Sequence, residues 1–260
     1  MDPASAATQP LLLKVIACEI AARELYYAAA HSRNLVDLEL LTQGHHDTPA
    51  AGRAEIQQRI GAVPAGKYDA IVLGYGLCSN ILAGLQAVHT PLVIPRAHDC
   101  ITFFLGSKER YQREFNAQPG TYYYTSGWVE CARRRGGKGP VWGGVPLSAN
   151  ARQDLKGAYE QWVTRYGEAQ AKYLLEEMQR WSEAYSHGTL IDFEFTRSLG
   201  LRAQVQRLCT EKGWQFNEIP GDLTLLQRLL AGDWPEGDFL VVRPGQKVVA
   251  TFDEKIIGTG

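Results

Sequence analysis

Three cysteines in this sequence end apolar runs and stand where the next segment begins. Cys18 follows "LLLKVIA", Cys78 closes "IVLGYGLC", and Cys100 closes "PLVIPRAHDC". Other reactive side chains are interleaved with them. Glu19 adjoins Cys18, "GHHD" places His45 and His46 after a further apolar run, and Arg96, His98 and Asp99 lead into Cys100. Thiolate is the form of cysteine that binds a metal or attacks an electrophile. Cys18, Cys78 and Cys100 with His98 or His46 make a tetrahedral donor set suited to zinc, the first choice. The three sulfurs alone suit a [4Fe–4S] cluster with one open iron, the alternative. A lone free cysteine is more often core packing. Repetition at equivalent corners is what argues for a shared centre.

The elements that position these residues follow from hydrophobic patterning. "LLLKVIA", "NLVDLELLTQG", "KYDAIVLGYG" and "TPLVIP" read as four strands. "EIAARELYYAAAHSR", "TPAAGRAEIQQRIGAV", "NILAGLQAV" and "CITFFLGSKERYQREF" read as the helices that follow them. Alternation of this kind predicts an α/β fold, with a parallel, Rossmann-like sheet and right-handed crossovers. The grammar repeats near the end in "TLIDFEF", "LGLRAQVQRLCTEKG", "WQFNEIPG", "DLTLLQRLLAGD" and "DFLVVRPG". The expected organisation is a disordered lead over residues 1–10 and an N-terminal Rossmann-like domain over 11–131 that carries the Cys/His site. A Gly-rich loop and long helix follow over 132–187, then a C-terminal βαβαβ lobe over 188–260. "QPGTYYYTSGWVE" is a further strand or an ordered loop.

In an open parallel sheet, ligands bind outside the carboxyl ends of the strands. Cys18, His46, Cys78, Arg96, His98, Asp99 and Cys100 would all emerge there. Each thiol also lies within a residue or two of an expected helix N-terminus, whose partial positive charge would favour thiolate. Asp99, Glu19 and His46 are acid/base candidates, and Arg96 could fork onto an anionic substrate. Gly74 and Gly76 would let the backbone approach a bound group closely, with Tyr75 lining the pocket. Tyr123 and Trp128 would supply an aromatic wall. Cys209, inside an amphipathic helix, reads as core, and Cys131, beside Glu130 and an arginine run, is not assigned to the site. No G-x-G-x-x-G fingerprint follows the first strand of either half, which counts against dinucleotide binding.

The totals exclude other classes. The net charge of -1 offers no electrostatic case for nucleic acid or an anionic membrane. No apolar run reaches the ~20 residues of a membrane span. An odd count of five cysteines, with no export signal, argues against a disulfide framework and for the cytoplasm.

"KVIACE", "GHHDTP", "YDAIVLGYGLCSN", "PLVIPRAHDCITFFLGSKERY" and "PGTYYYTSGWVE" together resemble a bacterial and archaeal family known only as a domain of unknown function. The resemblance covers roughly residues 12–130 well and the rest loosely. It implies an association with corrinoid-dependent methyl transfer, and so a corrinoid protein as partner. The placing of three thiols at strand ends is also similar to quinolinate synthase, where they hold an iron–sulfur cluster; that likeness is of architecture, without a matching motif. The expected function is a metal-dependent small-molecule enzyme, of methyl-transfer or one-carbon type, acting on a small anionic substrate, with a homo-oligomer possible. The alternatives are a non-catalytic carrier of a metal, corrinoid or tetrapyrrole, and a metal-free cysteine nucleophile.

Overall fold

The computed structural model describes residues 9–46, 48–78, 80–134, 141–142, 145–146, 159–160, 163–164, 167–172, 185–251 and 253–260. It is a mixed α/β structure built on a mostly parallel central sheet. The first four strands are β1 (Leu12–Cys18), β2 (Leu35–Leu41), β3 (Ala70–Gly74) and β4 (Leu92–Pro95). They run parallel in the order β4-β3-β1-β2. Every residue of β3 and β4 is buried, as both-face burial of a parallel sheet requires. β2 forms the sheet edge and is correspondingly half-exposed.

The order matters for function. The chain leaves β1 for β2 on one side and returns to β3 on the other. The carboxyl ends of β1 and β3 therefore flank a topological switch point, the place where such sheets open a crevice. Cys18 ends β1, and Cys78 lies four residues beyond the end of β3.

α1 (Ala22–Ala30) and α2 (Pro49–Ala62) form where the patterning places helices, and Pro49 opens α2. The helix expected over "NILAGLQAV" does not form. Asn80 and Gly84 take left-handed φ values of 63° and 93°, which break a helix. The segment instead makes turns, and Gly84, Leu85 and Ala87 hydrogen-bond with backbone at Gln246 and Val248. β4 leads into α3 (Ile101–Leu105), then α4 (Lys108–Ala117).

"TYYY" is a strand, β5 (Thr121–Tyr124), and α5 (Ser126–Arg134) follows it. A small hairpin, β6 (Val141–Trp142) with β7 (Val145–Pro146), lies beyond. β8 (His187–Asp192), α6 (Leu201–Lys212), β9 (Gln215–Pro220) and α7 (Thr224–Ala231) appear as the patterning predicts. β5, β8 and β9 make a second, parallel sheet. Cys209 on α6 is buried against β8, its thiol donating to the Gly188 carbonyl. The long helix expected within 132–187 falls mostly outside the described residues.

The two expected lobes are interleaved. β10 (Phe239–Val242), assigned above to the C-terminal lobe, pairs antiparallel with β4 and completes a five-stranded first sheet. β5, assigned to the N-terminal domain, opens the second sheet. Local patterning fixes strand existence but not strand partners. A last hairpin, β11 (Val248–Ala250) with β12 (Ile257–Thr259), closes the chain. Among the described residues, no helix is long and apolar enough to cross a membrane.

Candidate metal centre

The strand order brings Cys18, Cys78 and Cys100 to one region. All three are buried, with side chains 3%, 7% and 5% exposed. A charge on any one of them would act on another: Cys18 feels Cys78, and Cys100 feels both. A fourth sulfur joins them. Cys131 on α5 is buried and acts on Cys18 more strongly than Cys78 does. Its approach is set by Gly127, one turn earlier, where any Cβ would collide with the Ile20 carbonyl. The glycine lets α5 lie directly on the 3-10 turn Glu19–Ala21 that follows Cys18. Sequence spacing carried no sign of this contact, because α5 belongs to the other sheet.

The histidine beside the thiols is His46. Its Nε2 lies 3.9 Å from Cys18 Sγ. Tetrahedral zinc holds a sulfur and a nitrogen about 3.6 Å apart, so this pair is near ligating separation. His98, the expected ligand, is exposed and lines a second, outer cavity. The His98 carbonyl does serve the site, accepting the Cys78 N–H at 2.9 Å. His45 is directed the other way, its Nε2 3.0 Å from Glu55 Oε2 on α2.

The loop of Cys78 is held under tension. Cys78 has φ 37°, in the left-handed region that side chains rarely adopt. Gly76 makes the fold of this loop possible. A Cβ there would meet the Asp99 Cα at 2.7 Å, and one at Gly74 would meet the Ala17 Cβ at 2.5 Å. These glycines seat the loop on its neighbours; the sequence expectation gave them close approach to a bound group. Tyr75 is buried with its hydroxyl lacking a hydrogen-bond partner among the described residues. After burial, the charges of Cys18 and Cys78 do most to raise its pKa.

Helix ends do not activate these thiols. Cys18 precedes only a 3-10 turn, no helix follows Cys78, and α3 after Cys100 has a single short turn and a half. Burial dominates instead. It pushes Cys18 and Cys100 well up and Cys78 up to about 12, with neighbouring sulfurs and Asp99 adding repulsion. Backbone N–H groups of Gly76 and Cys100 oppose this at Cys78. Neutral thiols result unless a cation is present to hold them as thiolates. Among the described residues, no three His, Cys, Asp or Glu side chains converge closely enough to hold a metal as they stand. Turning a cysteine between its staggered rotamers swings the sulfur by roughly 3 Å.

The other expected residues divide. Glu19 accepts from the Gln43 N–H at 3.0 Å and pairs with Arg134 at 3.2 Å, pinning the His45–His46 turn and α5 to β1. Arg96 does not face the thiols. Its guanidinium donates to the carbonyls of Glu236, Lys255 and Ile257, which fastens β10 and the last hairpin to β4. Asp99 stays at the site: its Oδ1 accepts from the Ile101 N–H at 2.9 Å and its Oδ2 from the Tyr111 hydroxyl at 3.0 Å. Burial raises Asp99, while those two donors lower it.

Beside the sulfurs opens a cavity of about 610 Å³. Cys100, His46 and Asp99 line it from the first sheet, and Tyr122, Tyr123 and Trp128 from β5 and α5. The family described as "Protein of unknown function (DUF1638)" matches residues 40–230. The chain belongs to this family. The DUF1638 match runs from β2 into α7 and so includes His46, Cys78, Cys100 and Cys131, while Cys18 lies before it. No curated protein and no solved structure matches the chain.

Proposed function

We propose that this DUF1638 protein is a metal-dependent enzyme acting on a small molecule, with Cys18, Cys78 and Cys100 as thiolate ligands and His46 as the fourth donor. Its mostly parallel first sheet and its parallel second sheet would be Rossmann-like halves, and the centre would lie at the switch point of the first. The observation that carries the reading is the burial of three cysteines from separate strand ends in one group whose charges would act on one another, with Cys100 on the wall of a cavity. Buried thiols that repel one another when ionised gain most from a cation. Cys131 is a further donor of the same chemistry, and the Tyr75 hydroxyl is a hydrogen-bond donor for a ligating sulfur.

Zinc suits a donor set of sulfurs and one imidazole; a [4Fe–4S] cluster is the alternative if sulfur alone ligates. When bound, such a centre supplies Lewis acidity or an activated thiolate, and one-carbon transfer is the reaction class we favour. The chain's own residues would seat the substrate on the aromatic wall and offer Asp99, hydrogen-bonded by Tyr111, to its polar part. The rival reading, a metal-free cysteine nucleophile, needs an accessible and ionised sulfur. Cys100 lines the cavity, but burial raises both its thiol and that of Cys78, which disfavours the ionised form.

Cobalt substitution tests the reading. Titration of anaerobic, chelator-treated protein with Co²⁺ should give the intense visible bands of tetrahedral thiolate coordination. Cys18→Ser, Cys78→Ser and Cys100→Ser should each weaken them. Only the pale spectrum of hexa-aquo cobalt would sink the proposal.

A further inference from the structure

The cavity beside Cys100 has a composition that the metal proposal does not explain. Six aromatic side chains line it: Tyr111, Phe115, Tyr122, Tyr123, Trp128 and Tyr185. Two pairs of these rings meet edge to face. Tyr111 and Tyr123 meet at 83° with centroids 6.0 Å apart, and Tyr122 and Tyr185 at 76° and 5.4 Å. Aromatic rings gathered round one space can offer it the negative potential of their faces.

The charges on the wall have the same sign. Asp99 lines the cavity, and its carboxylate is held by two donors, the Tyr111 hydroxyl and the Ile101 N–H. No lysine or arginine is among the described residues lining it. Arg96, the residue that would have met an anion, is bound to backbone carbonyls elsewhere. Among the described lining residues, an anion would thus meet a carboxylate and aromatic rings, with no cationic side chain to receive it other than His46. An organic cation would meet complementary groups on several sides.

A third observation narrows the class. Trp128 and Tyr122 line the cavity, and the Trp128 Nε1 and the Tyr122 hydroxyl are buried donors with no hydrogen-bond partner among the described residues. An unpaired buried donor is costly, so the ligand should bring an acceptor.

We propose that the cavity binds an N-methylated, quaternary ammonium compound that also carries an oxygen acceptor. The methylated nitrogen sits within the aromatic box facing Asp99, and the oxygen accepts from Trp128 and Tyr122. Methylation suits the box because it spreads the positive charge over an apolar surface that rings can contact without stripping a tight hydration shell. The cavity is larger than a trimethylammonium group, leaving room for the rest of the molecule. This assignment rests on reading the cavity as the substrate pocket of the metal centre.

Titration calorimetry of the full chain decides it, with choline, glycine betaine and tetramethylammonium set against the carbon isosteres 3,3-dimethylbutanol and 3,3-dimethylbutyrate. Choline or glycine betaine should bind about tenfold tighter than its isostere. Trp128→Phe, which keeps a ring but removes the N–H, should bring either down toward tetramethylammonium while leaving tetramethylammonium nearly unchanged. Isosteres that bind as tightly as the ammonium compounds, or no binding by any ammonium compound, would overturn the assignment. Metal content measured on the same samples separates the two proposals. Ammonium binding by protein that holds no metal would sink the metal centre alone, and metal-replete protein that ignores ammonium compounds would sink this one alone.

Discussion

The Nε2 of His46 lies 3.9 Å from the sulfur of Cys18. The two residues come from the ends of neighbouring strands, β1 and β2, and the Glu19 carboxylate fixes their loops by accepting from the Gln43 N–H. His98, two residues from Cys100, is exposed. We therefore expect His46→Ala to weaken Zn²⁺ or Co²⁺ affinity at least tenfold, in line with the loss of a metal-site imidazole or its support. His98→Ala should change it less than twofold. Chelator competition measures both, and the reverse ranking would restore His98 as the ligand.

Cys78 carries a backbone cost that its thiol must justify. Its φ of 37° disfavours any residue with a Cβ. Cys78→Gly and Cys78→Ala both delete the thiol, but only glycine relieves the backbone. Glycine should be the more stable of the two metal-free variants by about 1 kcal/mol in urea unfolding. An alanine variant at least as stable as the glycine one would mean that the loop is not strained there.

Gly76 and Gly61 make a matched pair. A methyl at Gly76 runs into the Asp99 backbone at 2.7–2.9 Å, while nothing lies within 4 Å of one at Gly61 on α2. Gly76→Ala should cost about 2 kcal/mol by overpacking and impair metal uptake, because it pushes the Cys78 and Cys100 loops apart. Gly61→Ala should gain about 0.5–1 kcal/mol as a helical substitution. Thermal unfolding of the metal-free variants gives both signs.

Glu24 predicts a pH dependence. It is buried on α1 and accepts from Ser126 Oγ at 3.0 Å, and burial lifts its pKa to about 7. The folded chain then holds a proton that the unfolded chain loses near pH 4.3, so its contribution is complete below that pH and is lost as pH rises toward 7. The full effect is about 3 kcal/mol, flat above pH 7. Glu24→Gln, which keeps an acceptor for Ser126, should remove this slope and be more stable than the parent at pH 8. Parallel pH–stability curves for the two proteins would contradict the assignment.

The sequence made the strand ends legible and left their surroundings obscure. Four apolar runs, each followed by reactive residues, were enough to place Cys18, Cys78 and Cys100 on one edge. The same runs could not say which histidine turns inward, since His46 and His98 differ only in loop path. Nor could they give strand partners: "FLVV" reads the same whether it ends a C-terminal lobe or, as here, covers β4. Cys131 was hidden because its proximity to Cys18 depends on Gly127 packing against Ile20, a contact over a hundred residues apart. The expected thiolate activation failed for a local reason. Asn80 and Gly84 adopt left-handed backbone, so no helix dipole follows Cys78.

Metal content tests the central claim most directly. Protein purified anaerobically without added metal should carry zinc, or iron with acid-labile sulfide, at a fixed stoichiometry per chain by elemental analysis. The Cys18→Ser, Cys78→Ser, Cys100→Ser triple variant should carry none while retaining the helical signal of the fold. Parent protein with no stoichiometric metal, or a triple variant that keeps the parent's full complement, would contradict a thiolate-bound centre at this switch point.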